Sequence, residues 1–286
     1  MTRVLFVDDD PALLRGLERS LRMRRVPWET AFVEHGEAAL AYIAAHAVDI
    51  VVSDLAMPVM DGMALLRELA EHHPHITRAV MSGNFGVGDT TSPLAHLWLA
   101  KPVPIAEVCE QLRPLLWARP LLAGAGRVPP IPAVLSRVAD LDDAAVAVAL
   151  ALVDEVLGPQ GFTGIASARQ ALGGERLRGV LLAAELAASL PADMVRDSRA
   201  IARRAAGLVD DPRRDDAWIA ALLEGVGVLG EPPAGDAEVL ARVGGGLLST
   251  WGMPAHVAAA VAYRHAPANA ACPDDPTLVT LVRAHG

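Results

Sequence analysis

The first 120 residues alternate short apolar runs with longer segments in which apolar residues recur at helical spacing. Short runs of this kind are typical of buried strands, and the longer segments are typical of amphipathic helices. The predicted strands are 3–7, 28–33, 49–52, 76–81 and 97–100, and the predicted helices begin at Pro11, Gly36, Met63 and Ile105. Strict alternation predicts a doubly wound, five-stranded parallel α/β sheet with helices on both faces. Glycines and a proline between residues 82 and 97 predict a loop or a single turn, so the fourth helix is weak or missing.

The second half of the chain loses the strand pattern and predicts helices only. The predicted helices are 133–139, 143–157, 165–172, 174–189, 193–209, 215–229, 236–250, 254–264 and 276–284. Between the halves, residues 120–132 are rich in proline and glycine, which is typical of a linker. The pattern therefore predicts an α/β domain at 1–119, a Pro/Gly linker at 120–132 and an all-α domain at 133–286.

Composition narrows the classes of protein that this chain can represent. A single hydrophobic core rarely accommodates a chain of 286 residues, so two domains are expected. The content of 52% hydrophobic residues is enough for two packed cores. The net charge of −9 disfavours a surface that neutralises nucleic-acid phosphates. The most apolar stretch, 144–153, is too short to span a membrane. Cys109 and Cys272 have no metal-like spacing, and the N-terminus runs directly into a strand, so we expect a cytoplasmic protein without a secretory leader.

Polar residues follow four of the predicted strands. Asp8 and Asp9 follow the first strand, and Asp54 follows the third. Ser82 follows the fourth strand, and Lys101, where lysine occurs for the only time, follows the fifth. Because the carboxyl ends of parallel strands meet at one edge of a sheet, we expect these side chains to converge.

The expected group of side chains suits phosphoryl transfer. A carboxylate such as Asp54 can act as a nucleophile toward phosphorus if the charge of the donor is neutralised. Asp8 and Asp9 are suited to hold Mg²⁺, while a lysine and a hydroxyl can contact phosphoryl oxygens. Each of these residues taken singly is more often a helix cap or a solvated turn residue. Their coincidence at matching strand ends favours the site.

Residues 1 to about 120 resemble a response-regulator receiver domain of bacterial two-component signalling, which has a flavodoxin-like fold. The segments that carry the resemblance are 4–10 (VLFVDDD), 54–62 (DLAMPVMDG), 81–83 (MSG) and 101–102 (KP). The resemblance implies that Asp54 is the phospho-acceptor. It also implies a Mg²⁺ site whose ligands are Asp8, Asp9, Asp54 and the backbone carbonyl of Ala56.

The same resemblance gives roles to residues of the fourth and fifth strands. It implies that Ser82 and Lys101 contact the phosphoryl group and that the Lys101–Pro102 peptide bond is cis. Trp98 takes the position of the family's rotating aromatic residue, and we weigh this switch role equally with plain core packing. The gap from Ser82 to Lys101 is a few residues shorter than is usual, which agrees with a missing fourth helix. A homodimer stays an open alternative.

Residues 128–286 resemble the HDOD output domain, a degenerate relative of the HD metal-dependent phosphohydrolases. The segments that carry this resemblance are 128–135, 166–177, 221–229, 246–254 and 262–265. A catalytic HD site needs His and Asp ligands around a metal-bound hydroxide. At those ligand positions this chain has Asp197, Glu224–Gly225 and Gly286 instead. The histidines nearby, His256, His265 and His285, lack the spacing of a single site, so the resemblance implies a domain without catalysis.

These inferences together predict a two-component response regulator. A sensor histidine kinase would phosphorylate Asp54, and the receiver would control a non-catalytic HDOD-like domain that binds a downstream signalling protein. We expect no enzymatic activity beyond the receiver's own phosphoryl transfer and dephosphorylation, no nucleic-acid partner and no membrane insertion. The alternative is a metal-dependent phosphodiesterase of cyclic dinucleotides with a divergent HD site. In that case Glu224 and Asp197 would bind a cation, whereas the favoured interpretation makes them surface or helix-packing carboxylates.

Overall fold

The computed structural model describes residues 1–83, 92, 94–129, 131–132, 143–210, 216–232 and 236–285, with the side chains of 143–145 excepted. The chain forms two compact units. The first consists of Met1–Arg119 with Arg127–Ile131, and the second of Pro120–Gly126 with Pro132–Gly286. Most of the loop predicted after Ser82, and the whole helix predicted at 133–139, lie outside the described residues.

The first unit contains a five-stranded parallel sheet flanked by helices. Its strands are β1 (Arg3–Val7), β2 (Glu29–Val33), β3 (Ile50–Ser53), β4 (Thr77–Ser82) and β5 (Leu97–Ala100). Its helices are α1 (Pro11–Arg24), α2 (Gly36–Ala45), α3 (Gly62–His72) and α4 (Ile105–Leu121). The strand order is β2-β1-β3-β4-β5, and every neighbouring pair is parallel. The predicted doubly wound α/β fold is confirmed.

Apolar clusters cover both faces of this sheet. Side chains alternate between the faces along each strand. Val51 and Val80 therefore face a cluster that includes residues of α2 and α3, while Ile50 and Met81 face a second cluster with α1 and α4. Because both faces are buried, β3 is an unbroken run of buried residues. The sheet is thus a packed support for whatever its strand ends carry.

Two aspartates begin helices next to strand ends. The side chain of Asp10 accepts a hydrogen bond from the N–H of Ala12 at 2.8 Å, and Pro11 occupies the first helical position of α1, as the sequence predicted. The side chain of Asp61 accepts from the N–H of Ala64 at 2.6 Å at the start of α3. Each bond satisfies a donor that a helix N-terminus leaves unpaired.

Helix α4 is longer than the sequence pattern predicted. The pattern of apolar residues from Ile105 predicts an end at Trp117, and the helix continues to Leu121 through Pro120. A proline inside a helix removes a backbone hydrogen bond, and it is tolerated where tertiary packing supplies the compensating stability. Ala118 and Leu121 are 0% and 4% exposed, so the burial of apolar side chains favours continuation.

The residues predicted to form a linker, 120–132, take part in both units. Residues 120–126 belong to the second unit, and Leu122 is buried there in a short 3₁₀ turn. Residues 127–131, which we call the return segment, belong to the first unit, and Val128 is buried within it. Apolar residues interspersed among the prolines and glycines give this stretch surfaces to bury.

His96 fastens the return segment to the first unit. Its ring is 3% exposed and lies one residue before β5. The Nδ1 accepts a hydrogen bond from the backbone N–H of Arg78 at 3.0 Å, so Nε2 carries the proton and donates to a carbonyl. The carbonyl oxygens of Val128 and Pro129 lie 3.3 and 3.1 Å from Nε2. Val128 donates its own N–H to the carbonyl of Pro74 at 2.7 Å.

The second unit is all-helical in the residues that the structure describes, as predicted. Its helices are α5 (Asp143–Leu157), α6 (Ile165–Leu172), α7 (Gly174–Leu186), α8 (Ala192–Gly207), α9 (Ala217–Leu222), α10 (Ala237–Thr250), α11 (Ala255–Tyr263) and α12 (Pro276–His285). Two tryptophans, Trp218 and Trp251, are almost wholly buried in its core. Nowhere in the described part of the chain does a helix combine the length and apolar character that a membrane span needs.

One predicted helix, 215–229, is replaced by two shorter elements. α9 covers Ala217–Leu222, and a 3₁₀ helix covers Glu224–Gly230. Glycine weakens an α-helix, and this stretch is rich in it. A Cβ on Gly227 would lie 2.0 Å from the carbonyl oxygen of Leu240, so the segment runs against the backbone of α10 at a distance that only glycine permits.

Replacing Gly245 with alanine should destabilise the second unit. A Cβ there would lie 2.4 Å from the Cβ of Ala262 and 2.5 Å from the carbonyl oxygen of Ala258, so α10 would have to move away from α11. Overpacking of this kind costs about 1–3 kcal/mol. Gly207→Ala on α8 is the control, because nothing lies within 4 Å of an added Cβ there. Chemical denaturation should show a loss only for Gly245→Ala, and equal stabilities of the two variants would contradict this packing.

Acid should destabilise the first unit through His96. Burial, followed by the charge of Arg78, lowers the pKa of its imidazole from 6.5 to about 3. Below pH 6.5 the unfolded chain binds a proton that the folded chain excludes until about pH 3. Stability is therefore lost as the pH falls through this window, by about 1.4 kcal/mol per pH unit at the steepest point. His96→Gln, which does not titrate, should lose less stability over the same range in parallel denaturation series. An identical pH dependence of both proteins would rule out this role.

Candidate functional site

A buried ion cluster lies at the carboxyl edge of the sheet. Asp8 follows β1, Asp54 follows β3 and Lys101 follows β5. The Nζ of Lys101 lies 2.6 Å from Oδ2 of Asp8 and 3.0 Å from Oδ1 of Asp54. The two aspartates are 2% and 6% exposed. Residues that are up to 93 positions apart in the chain therefore share one ammonium group.

The side chain of Lys101 has to reach across a strand. β4 lies between β3 and β5, and neighbouring strands are about 4.8 Å apart. The strands that lead to Asp54 and Lys101 are therefore roughly two strand spacings apart, and the two side chains bridge that distance. The four-carbon stem of lysine, with a compact charge at its end, suits this reach. The backbone N–H of Lys101 donates to the carbonyl of Ser82 at 2.8 Å, which fixes where that stem begins.

The two carboxylates hold the ammonium in its charged form. Burial by itself lowers the pKa of Lys101, but the hydrogen bonds and charges of Asp8 and Asp54 together outweigh it, so the pKa lies above its usual value. A raised pKa contributes stability below the unfolded value and loses it only as the pH rises through the folded value, so the contribution is present at neutral pH. Two carboxylates around one ammonium leave a net negative charge, which favours a bound cation.

The other predicted site residues lie at the same edge, with differing exposure. Ser82 is the last residue of β4 and is 2% exposed, whereas Asp9 and Ala56 are exposed. The N–H of Ala56 donates to Oδ2 of Asp54 at 3.1 Å. Within the described ranges, no three His, Cys, Asp or Glu side chains are arranged to hold a metal ion. The structure therefore joins Asp8 and Asp54 through Lys101 and leaves Asp9 exposed beside them.

The loop after Asp54 contains a strained residue that the sequence did not reveal. Val59 has φ of +67°, and the N–H of Met60 donates to the carbonyl of Pro58 at 2.8 Å. This is a γ-turn of the positive-φ kind, which is rare and strained. A β-branched residue with positive φ is an outlier, and such strain costs of the order of 1–3 kcal/mol. Valine is a poor choice for this backbone, so no pattern in the sequence signals the turn.

Gly62 closes the same loop by a very near approach to the backbone of Asp54. Its N–H donates to the carbonyl of Leu55 at 2.9 Å. A Cβ at this position would lie 2.0 Å from the carbonyl oxygen of Asp54 and 2.8 Å from the Cα of Leu55. The first residue of α3 therefore has to be glycine for the backbone of Asp54 to keep its place.

Trp98 and the Lys101–Pro102 bond lie on β5 and just beyond it. Trp98 is partly buried, is opposite Val80 in the β4–β5 register, and packs against the same apolar cluster as Val51. It therefore has a packing role, and its proposed switch role stays a prediction. The Lys101–Pro102 peptide bond is cis, as predicted.

In the second unit, Glu224 is paired with groups that the sequence did not connect to it. Glu224 is 5% exposed, and its Oε1 lies 2.8 Å from Nε2 of His285. The guanidinium Nε of Arg264 is 3.7 Å from Oε2 of the same carboxylate. The rings of His265 and His285 lie 6.3 Å apart. Three of these residues come from the last 23 positions of the chain, so only the folding of α12 against this region brings them together.

Asp197 and His256 lie apart from this group. Asp197 is exposed, and its ion pair is with its neighbour Arg196 at 3.8 Å. His256 is hydrogen-bonded to Asp216, and this bond, which outweighs partial burial, raises the pKa of His256. Gly286, the other position compared with the HD ligands, lies outside the described residues.

The comparisons with known proteins concern the first unit. Residues 4–113 match the family model of the response regulator receiver domain. The transcriptional regulatory protein PrrA of Mycobacterium tuberculosis is 34% identical over 120 residues, which are 41% of this chain and 51% of that protein. The regulator NtrC of Salmonella typhimurium is 34% identical over 107 residues, 36% of this chain and 22% of NtrC. The chain thus spans about half the length, or less, of these curated relatives.

Solved structures match about two fifths of the chain. The signal receiver domain of an HD domain-containing protein from Pseudomonas fluorescens Pf-5 is 26% identical, with 41% of this chain and 96% of that chain covered and a TM-score of 0.39. A CheY-like receiver domain from Methanospirillum hungatei is 23% identical, with 42% and 97% covered and the same TM-score of 0.39. The family match and the strand-end geometry agree on the N-terminal region: residues 4–113 form a response regulator receiver domain.

Proposed function

We propose that this chain is a two-component response regulator in which Asp54 accepts a phosphoryl group from a sensor histidine kinase. The observation that carries the proposal is the Lys101 ammonium between the carboxylates of Asp8 and Asp54, at 2.6 and 3.0 Å. A phosphoryl donor brings negative charge toward a carboxylate. An ammonium that is already in place offsets this charge without reorganisation during the reaction.

The transfer is a nucleophilic displacement at phosphorus. An oxygen of Asp54 forms the new bond, while the bond from phosphorus to the donor's imidazole nitrogen breaks and its electron pair returns to that nitrogen. The N–H of Ala56 holds Oδ2 of Asp54, and Lys101 holds Oδ1, so the carboxylate is oriented before the donor arrives. The hydroxyl of Ser82, at the end of the adjacent strand β4, donates to a phosphoryl oxygen.

Magnesium fits the carboxylates at this edge. Mg²⁺ is usually held by one or two carboxylates with waters and phosphate oxygens, so it needs no complete protein cage. The buried pair Asp8 and Asp54 provides two carboxylates, and exposed Asp9 and Ala56 adjoin them in the chain. When bound, the ion neutralises charge on the phosphoryl oxygens. Its proposed ligands are Asp8, Asp9, Asp54 and the backbone carbonyl of Ala56.

The proposal extends to a cytoplasmic signalling role for the whole chain. Phosphorylation adds about −1.5 to −2 charges at Asp54, enough to shift a two-state receiver. The helical unit is then a non-catalytic, HDOD-like domain whose binding to a downstream signalling protein changes. Supporting this, the Glu224 carboxylate is buried and engaged by His285 and Arg264.

The alternative, a phosphodiesterase of cyclic dinucleotides, has one observation in its favour. A buried carboxylate, Glu224, lies beside His285, with His265 close by. Carboxylate and imidazole are ligands that divalent transition metals accept. Asp197, the other candidate ligand, is exposed and paired with Arg196. The two functions differ in metal content and in turnover.

Asp54 should be modified by acetyl phosphate only when Mg²⁺ is present. Without the ion, the carboxylates around the acceptor repel the donor. Intact-mass analysis of the full chain should show one added phosphoryl group, none after chelation, and none in Asp54→Asn. Asp61→Asn is the matched control in the same loop, because asparagine also caps a helix and should keep the modification. Equal labelling of wild type and Asp54→Asn would exclude Asp54 as the acceptor.

The full chain should contain no stoichiometric transition metal and should not hydrolyse cyclic dinucleotides. The reason is that Glu224 is already engaged by His285 and that an exposed Asp197 offers no second ligand beside it. Elemental analysis and a nucleotide turnover assay on the purified protein test this. Tightly bound metal, with turnover that both chelation and Glu224→Gln abolish, would establish the phosphodiesterase instead.

A further inference from the structure

Hydrogen bonds hold the return segment, residues 127–131, on the rest of the first unit. His96 donates to the carbonyls of Val128 and Pro129, and Val128 donates to Pro74. Burial, and next the charge of Arg127, lowers the pKa of Arg78 to about 10. The segment is therefore held by buried hydrogen bonds.

His96, the residue that holds the segment, directly precedes β5, and Lys101 directly follows the same strand. At one end of the β4–β5 pair, the N–H of His96 donates to the carbonyl of Arg78 at 2.7 Å. At the other end, the N–H of Lys101 donates to the carbonyl of Ser82 at 2.8 Å. Four paired positions lie between these ends. A displacement of β5 along or away from β4 therefore moves Lys101 and His96 together.

Apolar packing also connects the residues before β5 with the middle of that strand. Ala95, next to His96, is 1% exposed and belongs to the cluster against which Trp98 packs. Trp98 lies opposite Val80, midway along the strand pair. The guanidinium of Arg78 also donates to the carbonyl of Leu94 at 2.7 Å, so the approach to β5 is fixed to β4 as well.

We propose that His96 is a latch that holds the return segment on the receiver while Asp54 is unmodified, and that phosphorylation of Asp54 loosens it. The inference rests on the proposed phospho-acceptor function. In the unmodified protein, Lys101 bridges Asp8 and Asp54 directly. A phosphoryl group on Asp54 takes up that space and draws the ammonium to its own oxygens.

The displacement is transmitted along β5 to His96. The carbonyls that His96 must reach are held independently, through the bond from Val128 to Pro74. A shift of the ring relative to these carbonyls lengthens its hydrogen bonds and so loosens the return segment. Residue 132 begins the longer part of the second unit, so the latch controls the anchoring of the chain directly before it.

The holding role is tested by hydrogen exchange at the Val128 amide in the full, unmodified chain. His96→Phe keeps the ring volume but can neither donate nor accept, so exchange should become about 3- to 10-fold faster, as expected for one or two lost buried hydrogen bonds. His96→Gln retains a donor and an acceptor and should restore most of the protection. His72→Gln, at an exposed histidine, is the control. Unchanged exchange in His96→Phe would overturn the latch.

The coupling is tested with Mg²⁺ and beryllofluoride as the stand-in for the phosphoryl group. Exchange of the Val128 amide in wild type should become at least about 5-fold faster, the lower end of typical coupling between sites. By linkage, His96→Phe should bind beryllofluoride more tightly, by at most the same factor. Exchange that stays constant or slows when beryllofluoride is bound would overturn the proposal, and so would equal beryllofluoride affinity in wild type and His96→Phe.

A second variant tests the proposal if His96→Phe does not fold. Val128→Pro removes the donor to Pro74 and leaves His96 in place, so it should also raise the affinity for beryllofluoride. An unchanged affinity would overturn the proposal. Beryllofluoride that binds wild type without changing Val128 exchange overturns the latch alone. A wild-type protein that does not bind beryllofluoride overturns the phospho-acceptor function and, with it, the regulated release.

Discussion

The receiver depends on a charge balance at one buried edge of a sheet. Asp8 and Asp54 are almost wholly buried, and like charges so placed repel unless a cation lies between them. Lys101 supplies that cation at hydrogen-bond distance from both carboxylates. Two carboxylates and one ammonium leave one negative charge in excess. This excess suits the edge to the proposed metal ion and then to a phosphoryl group. The strand order, the covering helices and the loop after Asp54 all serve to hold these three side chains together.

The sheet that supports the site is closely packed, and the loop that follows Asp54 is strained. Two separate clusters pack the faces of the sheet and limit how far the strand ends can move. The loop that follows Asp54 carries the positive-φ Val59 and the near contact of Gly62 with the carbonyl of Asp54. Strain of this kind persists only where surrounding contacts determine the backbone, and it is concentrated here next to the acceptor.

The boundary between the two units is built from ordered chain. α4 continues past its expected end because apolar side chains are buried on it, and Leu122 is buried beyond that end. The chain then contributes the return segment to the first unit through Val128 and His96. A stretch whose composition is typical of a linker thus contributes residues to both units.

The sequence by itself determined the parallel sheet, the helix starts and the set of polar residues at the strand ends. These follow from local signals: the period of apolar residues, the cap and proline at the start of α1, and the rule that parallel strands end at one edge. Only the tertiary structure decided which groups are partners over long separations. His96 meets carbonyls 32 and 33 positions away, and Glu224 meets His285 at a separation of 61. It also decided the γ-turn at Val59 and the continuation of α4 through Pro120. In each case the observed structure is not the one that local sequence preferences favour, because burial and distant hydrogen bonds outweigh those preferences.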